Sequence, residues 1–364
     1  MVNSPFLPQQ LIGREAELHQ LCQLLDQDSD FLVVGVSGIG RRTLIQAAAH
    51  AVRAKIMTID CLRCRSGSQF LRLLADSLTE TFGTPAELAL MQRWSTEYPL
   101  SLDQVSSPPR LTWPEGHGHE WSRFEALLAL PQHLAEALNC QVVIVFHNLS
   151  HIRSWDRKGR WETYLRQKIQ AHSRVSYALI ATMAEPWVYD SGLPVIHLNP
   201  LADTDLKSWV TTTMATEGLK FDPDSQALKL FLSYVQGHFG DAIALAQRLW
   251  LEHQVFVARD SPGLIQAHHV QRSMLGLVQD MAVTFEALIL LLPPTQARLL
   301  EILALDPTDS PQSQAYIKKH QLSRGGGLQG ALNSLEQKGL IYGPNLSYRI
   351  ALPLLNFWLK QRLN

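Results

Sequence analysis

Residues 31–48, FLVVGVSGIGRRTLIQAA, constrain this chain more than any other stretch. The apolar run Phe31–Val34 reads as a buried strand. Gly35, Gly38 and Gly40 follow, and a helical pattern leaves the turn near Arg41. Glycines let successive backbone N–H groups converge on an anion, and a helix N-terminus adds its partial positive charge. The stretch therefore predicts a strand, an anion-sized loop and a helix. Gly35, Ser37, Gly38, Ile39, Gly40, Arg41, Arg42, Thr43 and Leu44 would surround a phosphate.

In the general phosphate-loop pattern G-x-x-x-x-G-K-[ST], the lysine reaches the β- and γ-phosphates and the hydroxyl binds Mg²⁺. Gly35 and Gly40 fit that pattern, but Arg41 takes the lysine position and Arg42 the hydroxyl position. Arginine is a planar fork where the pattern has a compact ammonium, and a second arginine brings a cation to a cation's place. Thr43 arrives one residue late, about 100° further round the helix, and reaches the metal position only if the helix start is shifted. The loop's shape is kept; its catalytic chemistry is not.

At 364 residues the chain has room for two or three domains, and its 46% hydrophobic and 18% charged composition is that of a folded protein. A formal charge of −1 exerts no global pull on nucleic acid or acidic membranes. The balance is uneven: from Pro293 to Asn364 eight Lys/Arg face four Asp/Glu, a net +4. Four cysteines make no disulfide framework, and the single C-x-x-C pair, Cys61 and Cys64, lacks the second ligand pair a structural zinc needs. Pro5 and Pro8 break any leader-like N-terminus, and the longest apolar run, Ala287–Leu292, is far too short to span a bilayer. The expectation is a cytoplasmic protein with no membrane partner.

In chain order, an amphipathic helix over residues 11–25 precedes the glycine loop. A strand at 54–60 and a helix at 68–82 follow. Residues 83–120, rich in proline and ending in Gly116-His117-Gly118-His119, read as an insertion with at most one short helix, 85–94. His117 and His119 read as loop residues rather than metal ligands. A helix at 121–139 leads into QVVIVFHNL (141–149), a run apolar enough for a strand buried on both faces. The charge-rich stretch 150–173 reads as a solvated face, helical from Trp161. Strands at 176–186 and 193–201 complete an alternating pattern that argues a parallel α/β sheet. From Ala202 onward the pattern is helical (203–217, 222–235, 239–254, 263–275), with no strand signal for nearly 140 residues. Helices at 295–305, 310–322 and 327–338, a hairpin pairing 340–342 with 347–351, and a helix at 353–363 close the chain.

This order resembles that of AAA+ ATPases with a helical lid and a C-terminal winged helix, close to the signalling and origin-recognition branches. The resemblance is carried by L-I-G-R-E-A-E-L (11–18), the glycine loop, L-N-P-L-x-x-x-D-L-x-x-W (198–209), and S-x-x-x-x-L-x-x-A-L-x-x-L-E-x-K-G-L-I (323–341). It implies an α/β core over 1–200 with the insertion at about 83–120, a lid over 201–276 and a winged helix over 277–364. By that resemblance Leu11 and Ile12 pack near an adenine base, and Thr182 at a strand end senses the γ-phosphate. The family's Mg²⁺-holding aspartate and catalytic glutamate fall on His147 and Asn148, neither of them a carboxylate. In the lid, Gly237-His238-Phe239 lacks the Gly-x-Pro of one branch, and Gly240-Asp241-Ala242-Ile243 lacks the arginine of the other. In the winged helix, Arg324, Gln329 and Asn333 would face a major groove, with Lys318, Lys319 and Arg349 near phosphates.

The leading expectation is a degenerate ATPase: a non-hydrolysing scaffold or regulator that takes ATP or ADP without a well-held Mg²⁺ and contacts a protein partner, or DNA through its winged helix. Two alternatives stay open. One is an active ATPase using Arg41 and Thr43. The other is a DNA-binding regulator whose ATPase core is architecture alone. The sequence does not set the oligomeric state.

Overall fold

The computed structural model describes residues 6, 11–98, 100–113, 120–169, 174–254, 263–322 and 326–363. Two units emerge, one of Ala16–Val34 and Arg41–His197, the other of Met1–Glu15, Gly35–Gly40 and Leu198–Asn364.

The first unit is built on a sheet. After α1 (Glu15–Asp26) come β1 (Phe31–Val34), α2 (Arg41–Ala51), β2 (Lys55–Asp60) and α3 (Gly67–Thr81). The insertion holds α4 (Pro85–Ser95), β3 (Ser101–Asp103) and β4 (Arg110–Thr112). Then follow α5 (Glu120–Leu138), β5 (Val142–His147), α6 (Arg160–Lys168), β6 (Val175–Ala181), the short α7 (Pro186–Asp190) and β7 (Val195–His197). Five strands form a parallel sheet in the order β2-β5-β6-β1-β7. The central strands β1, β5 and β6 are buried along nearly their whole length, whereas edge strand β2 alternates. Helices covering both faces of a parallel sheet explain why the central strands read as unbroken apolar runs. The register aligns Asp60 with His147, His147 with Ile180, and Ala181 with Val34. The carboxyl ends of four strands thus share one edge, where ligands of open α/β sheets bind.

The insertion is more ordered than expected. Thr84 caps α4, with Glu87 reaching back to the Thr84 amide in a capping box and also pairing with Lys55 at 2.6 Å. Beyond it β3 and β4 form an antiparallel hairpin, and Leu100, Leu102 and Leu111 join the main core. Three-residue strands such as Ser-Leu-Asp and Arg-Leu-Thr are too short to show a period. His117 and His119 lie outside the described residues. The charge-rich stretch turns inward in part. Phe70 touches Phe124, Phe146, Trp155 and Trp161 at ring-centroid distances of 5.9–6.5 Å, and Arg160 lies over Trp121. Arg153 and Arg166 share Glu162 and Glu185.

The second unit is helical: α8 (Asp203–Thr216), α9 (Ala227–Val235), α10 (Phe239–Glu252), α11 (Ala267–Leu291), α12 (Pro294–Leu305), α13 (Gln314–His320), α14 (Gly326–Gln337) and α15 (Pro353–Leu363). Two details differ from the sequence reading. Lys220–Phe221 and Leu264–Ile265 pair as a two-residue parallel ladder, too short to leave a pattern. α11 does not stop at residue 275 but runs to Leu291, because no proline interrupts it before Pro293. By length and composition it is the one described helix apolar enough to cross a membrane, yet Val270, Met274, Val278, Phe285 and Ile289 are buried against neighbours that include α9, α10 and α15. The hairpin expected at 340–351 is pared to the single bridge Ile341 with Ile350, and a second bridge joins Tyr348 to Thr308 beyond α12. One core runs from Leu201 to Leu359, and Phe6 sits inside it against Trp250.

Asp30 fixes where β1 starts. Buried just before the β1–β6 ladder begins at Phe31, its Oδ1 accepts the Tyr177 amide at 2.6 Å. Asp30→Ala leaves that buried N–H without this acceptor and should cost roughly 1–3 kcal/mol. The urea midpoint should fall accordingly, while Asp30→Asn, which keeps an acceptor, should recover most of the loss.

Candidate functional site

β1 delivers the chain into the glycine loop. Gly38 (φ +82°) and Gly40 (φ +102°) adopt left-handed backbone that other residues rarely take, so the turn depends on them. Ile39 is buried and anchors the loop, while Ser37 and Gly38 are exposed. Among the described residues, none of the Ser37–Gly40 amides donates to a protein acceptor in hydrogen-bond geometry. Loop amides without a protein acceptor are the chemistry a phosphate needs.

The loop carbonyls, in contrast, are taken by the N-terminus of α10. The Gly240 amide donates to Gly38 O at 3.0 Å, and His238 Nε2 lies 2.6 Å from Ser37 O. A carbonyl only accepts, so Nε2 carries the hydrogen. The approach is close enough that a Cβ on Gly38 would stand 2.6 Å from His238 Cε1. His238 is also the N-cap of α10. Its Nδ1 lies 3.1 Å from the Asp241 amide and 3.0 Å from Asp241 Oδ1, accepting from the first when neutral and donating to the second when charged. Burial opposes charge on this ring, but the Asp241 hydrogen bond and charge and the Ser37 carbonyl outweigh it, and the pKa is raised. Asp241 Oδ2 accepts the Leu354 amide in the first turn of α15 at 3.0 Å. The sequence reading saw only missing residues at 237–243; what replaces them is a histidine–carboxylate pair.

At the sheet edge, Arg41 does not extend as a P-loop lysine would. Its Nη1 donates to Ala181 O at 2.7 Å, and burial lowers its pKa from the usual arginine value. Arg42 and Thr43 are exposed, and Leu44 is buried in the core face of α2. His147 ends β5 half-buried, with a buried Nε2 that finds no hydrogen-bond partner among the described residues. Burial first, then Arg42 and Arg41, push its pKa down against the opposing pull of Asp60, so the imidazole is neutral at pH 7. Asn148 adopts a left-handed turn and donates to Asp60 Oδ1 at 3.2 Å. Asp60 is the strand-end carboxylate the sequence reading passed over; its register opposite His147 was not visible without the sheet. Thr182 follows β6, half-buried. Leu11 and Ile12 are half-buried, Ile12 against the second core, and Arg14 beside them donates to Asn199 O.

These donors fit a phosphate and do not fit Mg²⁺. The loop amides by themselves suit an anion, whereas at the strand ends of the first unit a neutral imidazole, an amide and an arginine stand where a hard cation needs oxygen ligands.

On the winged helix, Gln329 and Asn333 are exposed on α14 and hydrogen-bonded to each other, and Gln329 also to Gln312. Lys319 is paired with Asp306 at 2.7 Å, and Lys318 is exposed. Arg349 lies over the Tyr342 ring, half-buried. Arg324 lies outside the described residues.

The raised pKa of His238 has a definite sign. Its charged-state contribution is complete below the unfolded-state value of about 6.5 and is lost as pH rises through the higher folded-state value. The stability difference between wild type and His238→Asn should therefore shrink on going from pH 6 to pH 9, as read by melting temperature across that range.

The comparisons with known proteins bear on the fold. The AAA ATPase domain family matches residues 10–177, and a family described as a probable winged helix domain matches residues 283–361. No curated protein matches the chain by sequence. The fold is similar to that of the Walker-type ATPase PABY2304 of Pyrococcus abyssi, with a TM-score of 0.68 at 14% identity over 98% of this chain and 100% of that one. Lower similarity is found to the Orc1 protein of Aeropyrum pernix, solved in complex with DNA (TM-score 0.49, 16% identity, 99% of this chain and 97% of that one). Cdc6p from Pyrobaculum aerophilum gives a TM-score of 0.48 at 15% identity, over 100% of this chain and 99% of that one. The five-stranded parallel sheet, the AAA ATPase match and the winged-helix match together make this chain an AAA ATPase domain joined to a C-terminal winged helix domain.

Proposed function

We propose that this protein is a nucleotide-responsive scaffold: it receives the phosphates of ATP or ADP at Gly35–Gly40, does not hydrolyse them, and works through a protein partner. The observation that carries this reading is the Arg41–Ala181 hydrogen bond. A half-buried guanidinium committed to a strand-end carbonyl is held away from the role of a mobile ammonium on the γ-phosphate. Support comes from His147, neutral where a metal-holding carboxylate would stand, and from Arg42 at the metal-binding hydroxyl position.

A DNA-reading role for the winged helix is the second reading, favoured by the family match alone. The described outward side chains Gln329 and Asn333 are neutral, and Lys319 is already paired. Duplex affinity comes mainly from cations that displace counterions from phosphates, so this face supplies little of it.

Three measurements test the reading. Phosphate release by the purified chain with ATP and Mg²⁺ should stay at buffer level, and Arg41→Lys should not restore it, because His147 and Arg42 remain. A robust Mg²⁺-dependent rate abolished by Arg41→Ala would instead establish an active ATPase. Saturating ATP or ADP should raise the melting temperature through mass action, by an amount that grows with ligand concentration. Duplex binding should be weak with a shallow salt dependence; a steep loss of affinity between low and moderate salt would turn the assignment toward a DNA regulator.

A further inference from the structure

Three hydrogen bonds connect the glycine loop to the last helix of the chain. Ser37 O accepts from His238 Nε2, His238 Nδ1 faces Asp241, and Asp241 Oδ2 accepts from the Leu354 amide. The ring of His238 is 5% exposed and the Asp241 side chain 14%, so bulk water competes weakly for these contacts. Each member has a fixed position. Gly237, in left-handed backbone at φ +80°, places His238, and the Leu201 amide holds Gly237 O at 2.9 Å. A Cβ on Gly237 would stand 2.5 Å from Pro200, so the turn before α10 is set by a residue without one. Gly38 and Gly240 meet backbone to backbone, and a Cβ on Gly240 would come within 3.2 Å of Gly38 Cα and O. Asp241 serves two helix starts at once: its own, beside the capping His238, and that of α15, whose first turn begins at Pro353 and so has few donors to satisfy.

Other features carry less. The His253, His268 and His269 group forms no metal-holding cluster among the described residues. A cavity of about 710 Å³ between α8 and α9, edged by Lys207, Lys220 and Lys229, has an open apolar floor and nothing to say what fills it. Exposed Val283, Leu290 and Leu291 on α11 likewise have no indicated occupant.

The geometry points to His238 and Asp241 as a coupling pair that reports the state of the phosphate loop to the N-terminus of α15. The ligand class is an oligophosphate, and in that respect the inference rests on the nucleotide reading above. A phosphate on the loop amides offers His238 Nε2–H a stronger, anionic acceptor than the Ser37 carbonyl. Turning the ring toward it withdraws Nδ1 from Asp241. Asp241 then carries its carboxylate, and with it the Leu354 cap, to a different balance. α15 packs against α9, α11 and α12, so a change in its first turn is felt in the shared core of lid and winged helix. His238 and Asp241 are positioning residues in this scheme and transfer no group.

Amide hydrogen exchange on the full-length chain tests the coupling, with Leu354 as the reporter and α12 amides as the internal control. His238→Ala and Gly38→Ala should each speed exchange at Leu354 by about tenfold or more, the order expected when one buried cap is released. Ser37→Ala, which keeps the carbonyl, should leave it unchanged. ATP or ADP, whose binding is scored separately by calorimetry, should alter Leu354 protection in wild type and not in His238→Ala. If both loop-side variants fold by circular dichroism and leave Leu354 at the wild-type rate, the coupling is refuted whatever the nucleotide does. If His238→Ala alone folds, its rate decides. If the variants release Leu354 but calorimetry shows no nucleotide binding, the coupling stands and the nucleotide reading fails.

Discussion

Where β1 stops decides where the glycine loop begins, and β1 has no freedom to stop elsewhere. Its four residues are all buried, Asp30 holds its start to Tyr177, and β6 and β7 pair with it on either side. Fully burying one Val, Leu or Phe side chain is worth roughly 1.5–3 kcal/mol. A typical hydrogen bond contributes about 1 kcal/mol net. The strand therefore outweighs any single contact in the loop, and the loop's side chains can change without moving the backbone that positions them. That is why Arg41 and Arg42 can follow the glycine turn while the strand, the turn and α2 stay in place.

The electrostatics at the sheet edge follow from those replacements. Arg41 needs an acceptor as it leaves water, and the Ala181 carbonyl at the end of the neighbouring strand supplies one. Burial, reinforced by Arg42 and Arg41, keeps His147 uncharged, and Asp60 is engaged by Asn148 and the Leu62 amide. A lysine in place of Arg41 would restore one cation's shape but none of the missing oxygen ligands.

Most of the fold was legible because its signals are long. The buried strands Phe31–Val34 and Val142–His147 announced themselves as apolar runs, and Thr84-Pro85-Ala86-Glu87 is a readable helix start. What escaped was short or relational. The hairpin Ser101–Thr112 and the Lys220–Leu264 ladder have strands of two or three residues, below any usable period. α11 runs sixteen residues past the expected end at 275, through Gly276, which faces Arg248 and leaves no room there for a larger side chain without a shift. At the site, sequence reasoning named the residues that depart from the family pattern but not what they do instead. Arg41's partner is 140 residues away and His238's is 201 residues away, and no local pattern encodes such pairs.

The contact between loop and α10 is of a strength suited to being broken. It rests on two hydrogen bonds to carbonyls, Gly240 to Gly38 and His238 to Ser37, and on a glycine–glycine approach that excludes side chains. At about 0.5–1.5 kcal/mol each, the two bonds sum to roughly 1–3 kcal/mol. Coupling free energies between sites fall in the same range, about 1–3 kcal/mol. A much stronger contact would hold the loop carbonyls to α10 whatever arrived, and a much weaker one would carry no information to Asp241. The contact uses the loop carbonyls and leaves the Ser37–Gly40 amides without a protein acceptor, so under the proposed reading an anion need not displace α10 to reach them.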